Sequence, residues 1–171
     1  TGLDGYDVVC DQNSGGQTPS STVDVSAGSQ SYTCSFPDGS SNYFHLQSVD
    51  TAGNWDSSSA NSGPFYIDTA DPSSSISPDG VSWQGSDQSY DISCSDSDSG
   101  CDTTYWEEID ATGSCPSQGS FANSGSPTVS DTVTCSSGNV CEVDVCYYSV
   151  DVAGNTESVK RRATFHIDKQ A

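Results

Sequence analysis

Ser48-Val49-Asp50-Thr51-Ala52-Gly53-Asn54 recurs as Ser149-Val150-Asp151-Val152-Ala153-Gly154-Asn155, with Asp151 standing 101 residues after Asp50. Working outward, Cys34 and Cys135 keep that spacing, and Phe65-Tyr66-Ile67-Asp68 returns 100 residues on as Phe165-His166-Ile167-Asp168. Upstream, Gly2-Leu3-Asp4-Gly5-Tyr6 is similar to Gly100-Cys101-Asp102-Thr103-Thr104-Tyr105. A fixed period of about 100 residues marks a repeated domain of the usual β-sandwich length.

The second copy runs from about Ser73 to Asp168 and reads as complete. The first begins at a point equivalent to about Ser99 and lacks a counterpart of Ile76 through Asp98. That piece holds two strand-like stretches, Val81-Ser82-Trp83 and Ser89-Tyr90-Asp91-Ile92-Ser93-Cys94. A sandwich without its first two strands exposes an apolar face and unpaired edges. Two expectations follow: the chain is a segment of a longer tandem array, or a neighbouring chain supplies the missing strands. Asp68-Thr69-Ala70-Asp71-Pro72, followed by a serine run, reads as a short, stiff joint. The expected domains are therefore 1–71, incomplete, and 72–171, complete.

Elsewhere the chain reads as short strands between Gly, Pro, Asn, Asp and Ser turns, with no helical periodicity beyond one turn. In Cys141 through Val150, the residues Val143, Val145, Tyr147 and Ser149 share one face, matched in the first copy by Phe44, Leu46 and Ser48. That face is the expected core, and Cys146 and its counterpart His45 point away from it.

Composition narrows the function. The 171 residues carry 4 Lys+Arg against 24 Asp+Glu, a net charge of −20. So few cations cannot displace the counterions of a nucleic acid. No apolar run reaches the roughly 20 residues of a membrane span. Low hydrophobicity with high charge would suit disorder, but eight cysteines, three tryptophans and eight tyrosines argue for a folded chain. The absence of Cys-x-x-Cys pairs and the presence of only two histidines weigh against a cysteine metal site. Disulfides, and so an extracellular or cell-surface location, are expected instead. All four cations, Lys160, Arg161, Arg162 and Lys169, fall near the end, an arrangement that suits head-to-tail contact.

Val-Asp-x-Ala-Gly-Asn, followed after about twelve residues by Ile-Asp-(Thr/Lys), resembles the immunoglobulin-like repeats of bacterial and archaeal cell-surface proteins. Cys94 through Cys101 is similar to the Cys-x-Asp-x-x-Ser-Gly-Cys element of some such repeats. The resemblance implies tandem immunoglobulin-like β-sandwiches, with Asp-x-Ala-Gly-Asn as the turn after a late core strand. It says little of molecular role, because that fold serves many.

The repeat also orders the cysteines. Cys10 and Cys34, alone in the first copy, are expected to pair, and by equivalence Cys115 pairs with Cys135. For the remaining four, Cys94–Cys101 with Cys141–Cys146 is favoured as local closure, and Cys94–Cys146 with Cys101–Cys141 is the alternative.

No catalytic signature is present: no Gly-x-Ser-x-Gly, no His-Glu-x-x-His and no phosphate loop. Neighbouring Glu107 and Glu108 would face opposite sides of a strand, and His45 and His166 read as surface histidines. The chain is expected to be non-enzymatic. Clustered carboxylates at Asp68 and Asp71, and at Asp96, Asp98 and Asp102, could hold Ca²⁺, against the plainer reading that Asp caps turns. Trp55, Trp83 and Trp106 could form a sugar platform, against core packing. The expected role is a structural segment of an extracellular filament or surface appendage, partnered by itself and assembled head-to-tail through strand complementation. The alternative is an adhesin or carbohydrate-binding module that takes glycans.

Overall fold

In a computed structural model, residues 2–15, 20–29 and 31–170 are described, residues 161–163 by backbone alone. The described residues form strands and turns with no helix. The chain divides into two compact units, Thr1–Asp68 and Thr69–Ala171.

Unit 1 is a four-stranded sheet, ordered β2-β1-β3-β4, of β1 (Leu3–Asp11), β2 (Val25–Ser26), β3 (Gly39–Asp50) and β4 (Ala60–Ile67). Val8 opposes Leu46 and Cys10 opposes Phe44, so these four share one face. Val9 opposes His45 and Asp7 opposes Gln47 on the other face.

Unit 2 has two sheets. One, ordered β10-β7-β5, contains β5 (Ser73–Ser77), β7 (Gln88–Ser95) and β10 (Thr128–Val133). The other, ordered β6-β12-β11-β8-β9, contains β6 (Val81–Gln84), β8 (Cys101–Asp110), β9 (Asn123–Gly125), β11 (Val140–Asp151) and β12 (Lys160–Asp168). Ile76, Tyr90, Ile92, Val129 and Val133 of the first sheet pack on Val145, Tyr147, Phe165 and Ile167 of the second as one core. The alternation of β7, with Tyr90 and Ile92 buried and Asp91 and Ser93 exposed, is what a strand covering one face requires.

The repeat is visible in the geometry. Asp50 and Asp151 each close the same turn. Their backbone nitrogens donate to the carbonyls of Asn54 and Asn155, at 3.0 and 3.1 Å. Their Oδ1 atoms accept the Asn54 and Asn155 backbone N–H groups at 2.9 and 2.8 Å. Gly53 and Gly154 sit at φ of 84° and 96°, which a side chain would strain. These aspartates bond local backbone, as their sequence setting implies.

The units differ in what lies over the shared inner face. In unit 2 the covering sheet buries Val145, Tyr147 and Ser149 on that face. In unit 1, among the described residues, no second sheet packs there. Phe44 and Leu46 are half-buried, whereas their counterparts Val145 and Tyr147 are 0% and 2% exposed. Tyr32 is 46% exposed where its counterpart Val133 is 0%, and Phe65 is 39% exposed where Phe165 is 0%. The segment Ser31–Pro37, which precedes β3 as β10 precedes β11, forms no strand. It lacks the partner that β7 gives β10 in unit 2.

The outer face of unit 1 also holds deeply buried side chains. His45 is fully buried, correcting the expectation of a surface histidine. Its Nδ1 faces Asn61 Oδ1 at 2.6 Å and its Nε2 faces Asp11 Oδ1 at 3.0 Å. Asp7 beside it is buried and accepts from Ser20 Oγ and the Thr22 backbone.

All eight cysteines are paired, with two corrections to the expected framework. Cys10–Cys34 and Cys94–Cys101 form as expected, but Cys115 pairs with Cys146 and Cys135 with Cys141. Cys115 is not the counterpart of Cys10: it lies in the segment that follows β8 and crosses the outer face of β11. There Cys115 meets Cys146, and Phe121 meets Tyr148 edge-on at 5.0 Å. Cys141 and Cys146, five apart in one strand, point to opposite faces and cannot reach each other.

Candidate functional site

The feature of unit 1 that invites a partner is its open inner face. A groove of about 290 Å³ runs along it, lined by Tyr6, Val8, Val25, Tyr32, Phe44 and Leu46. Cross-strand pairing of β1 with β3 sets the Val8–Leu46 floor. β2, paired to β1 at Tyr6↔Val25, forms one wall. The closeness of β2 depends on Gly5, where an added Cβ would lie 2.5 Å from the Val25 carbonyl oxygen.

The chain leaving β3 places Asp56 beside Ser48, its backbone nitrogen bonding the Ser48 carbonyl at 2.9 Å. The counterpart in unit 2 is Glu157, whose nitrogen bonds Ser149 in the same way at 3.2 Å. Glu157 is buried, and its carboxylate accepts the Ser74 backbone N–H at 3.1 Å, the Ser74 hydroxyl and the Ser149 N–H at 2.9 Å. Lys160 Nζ lies 2.6 Å from the same carboxylate and donates to the Ser74 carbonyl. This cluster fastens β5 of the covering sheet to β11 and β12. Asp56, one methylene shorter, is exposed, and its Oδ1 accepts from Ser58.

The residues considered for Ca²⁺ are spread over both units. Asp68 ends unit 1, and Asp71 is exposed near the start of unit 2. Within unit 2, Asp96 Oδ1 caps its own turn through the nitrogens of Asp98 and Gly100, at 3.1 and 2.8 Å. Asp98 accepts from Ser97 Oγ and Asp102 from Thr103 Oγ1. Asp96 and Asp151 bring carboxylate oxygens within 4.8 Å of each other.

Glu107 and Glu108 serve different partners: Glu107 accepts the Ala122 N–H at 3.1 Å, and Glu108 accepts the Tyr90 hydroxyl at 3.2 Å. Burial, aided by the charge of Asp131, pushes the Glu108 pKa up against the opposing Tyr90 bond. Trp106 packs on the core with Nε1 bonded to Asp131 at 2.8 Å, and Trp55 is half-buried beside Val49. Trp83 alone of the three tryptophans is largely exposed, at 53%, and lies against His166 with ring centroids 5.0 Å apart. Both lysines described are engaged within unit 2, Lys160 as above and Lys169 with Asp87 at 2.6 Å.

Composition and spacing pointed to the open face, through the missing counterpart of Ile76–Asp98. They did not point to the Glu157 cluster, which joins residues 83 positions apart. No protein-family model matches this chain, and no curated protein matches it.

Proposed function

We propose that this chain is a structural segment of an extracellular filament or surface appendage, built of immunoglobulin-like units and completed head-to-tail by strands from a neighbouring chain. One observation carries the reading: the inner face of unit 1 is half-open where the equivalent face of unit 2 is sealed by a three-stranded sheet. Strands laid over that face as a second sheet would bury its apolar side chains and pair with the strandless run Ser31–Pro37. Four disulfides support an oxidising location outside the cytosol. Electron microscopy and light scattering on the purified chain test it: regular filaments growing with concentration are expected, and a monodisperse monomer at all concentrations rejects it.

A second reading, a glycan-binding adhesin, draws on the exposed Trp83–His166 pair. Binding on a glycan array that is lost in Trp83→Ala would favour it.

A further inference from the structure

Resting on the glycan-binding reading, the surroundings of Trp83 say which sugar its ring would take. We propose that Trp83, His166 and Glu142 form a platform for an uncharged oligosaccharide of gluco-configured pyranosides, one residue stacked on the indole and the next hydrogen-bonded to Glu142.

The three side chains come from neighbouring strands of the five-stranded sheet, β6, β12 and β11. Phe165 and Ile167, on either side of His166, are buried in the core, so alternation turns His166 outward. Glu142 is its direct cross-strand partner, and Val143 packs on the core, so Glu142 shares that outer face. β6 runs parallel to β12, with Val81 paired to Phe165 and Gln84 to Ile167. One strand thus covers with three residues the step the other covers with two. This irregularity brings Trp83 beside His166, where the rings meet at a tilt of 47°. His166 Nδ1 lies 3.5 Å from Glu142 Oε1. The imidazole is therefore set between indole and carboxylate, and the indole is oriented before a ligand arrives. A ring fixed in advance loses little freedom on binding.

Trp83 and Glu142 are both about half open to solvent. Their frame is polar: Ser82 and Gln84 on β6, Thr164 and Asp168 on β12. A protein partner would ask for about 800 Å² of surface with an apolar centre, which one ring among polar groups does not offer. A pyranoside fits better. Equatorial hydroxyls leave its axial C–H groups as a flat apolar face for the indole, and its hydroxyls donate to a carboxylate. Neighbouring strands lie about 4.8 Å apart, so β6 and β11 are separated by about 10 Å, a span for two linked sugars rather than one. Glu142 and the net charge of −20 select against anionic sugars.

The test uses the full chain with cellotetraose, chitotetraose and glucose, and with a hyaluronan tetrasaccharide as the anionic chain. Both neutral tetrasaccharides are expected to shift the tryptophan emission and to bind in calorimetry. Glucose and hyaluronan should each bind at least about tenfold more weakly. Trp83→Ala should abolish the emission shift and weaken binding by more than about tenfold, with unchanged denaturant melts because the ring is exposed. Glu142→Gln keeps an acceptor, so it should hold neutral binding within about threefold and narrow the gap to hyaluronan. Neutral binding that survives Trp83→Ala, or hyaluronan bound as tightly as the neutral chains, overturns this platform while sparing glycan binding. The absence of binding to every sugar on a glycan array rejects both. Self-association that Trp83→Ala removes would make the ring a contact between copies and likewise overturns the platform.

Discussion

Tyr90 and Phe165 pack with ring centroids 5.6 Å apart, joining the two sheets of unit 2. Phe65, the counterpart of Phe165, stacks instead on Phe36 of its own unit at 5.8 Å and remains partly exposed. Equivalent truncations should therefore cost different amounts. Phe165→Ala is expected to destabilise unit 2 by about 3–5 kcal/mol and Phe65→Ala to destabilise unit 1 by less than about 1.5 kcal/mol. Denaturant melts of the two variants check this.

His45 presents both ring nitrogens to oxygen acceptors, so the imidazolium, with a proton on each, suits its site. Burial opposes the charge, but bonds to Asn61 and Asp11 and the Asp11 carboxylate outweigh it and raise the pKa. A raised histidine pKa contributes stability fully present below the ordinary value of 6.5 and lost as pH rises through the folded value. Unit 1 should weaken from pH 6 toward pH 9, and His45→Gln should flatten that slope in thermal melts.

Glu108 gives the same direction of pH dependence for the opposite reason: its charged form is disfavoured rather than favoured. Its pKa is raised by burial, so its charged form costs stability as pH climbs above the ordinary 4.5. Glu108→Gln keeps an acceptor for the Tyr90 hydroxyl and should raise the melting temperature at pH 7, with the gain vanishing near pH 4.

The disulfide framework gives a chemical check. Non-reducing peptide maps should recover Cys115 joined to Cys146 and Cys135 to Cys141. Recovery of Cys115–Cys135 would show that the segment after β8 does not cross β11.

The Glu157 cluster should be costly to break. Glu157→Ala strands Lys160 and two backbone N–H groups in a buried place, with an expected loss of about 3–5 kcal/mol. A loss under about 1 kcal/mol in denaturant melts would mean the cluster contributes little.

The all-β character, the repeat and the open face were legible because they depend on alternation and on spacing along the chain. Cys94–Cys101 was legible as a local closure. The Cys141–Cys146 expectation was open to correction from sequence alone, since five residues of strand separate the two across the sheet. His45 was not legible as buried. Its cover comes from Asp11 and Asn61, distant in sequence, and nothing in their own surroundings marks them as its partners. Its counterpart Cys146, itself under a crossing segment, was the available hint.

Any pull passed along the chain through unit 2 arrives at β5 and departs by β12. Ser74 and Lys160, near the starts of these two strands, are bonded directly and through one carboxylate. A pull entering at Ser73 therefore meets these bonds before the apolar interior, while the load leaves from the opposite end of β12, at Asp168.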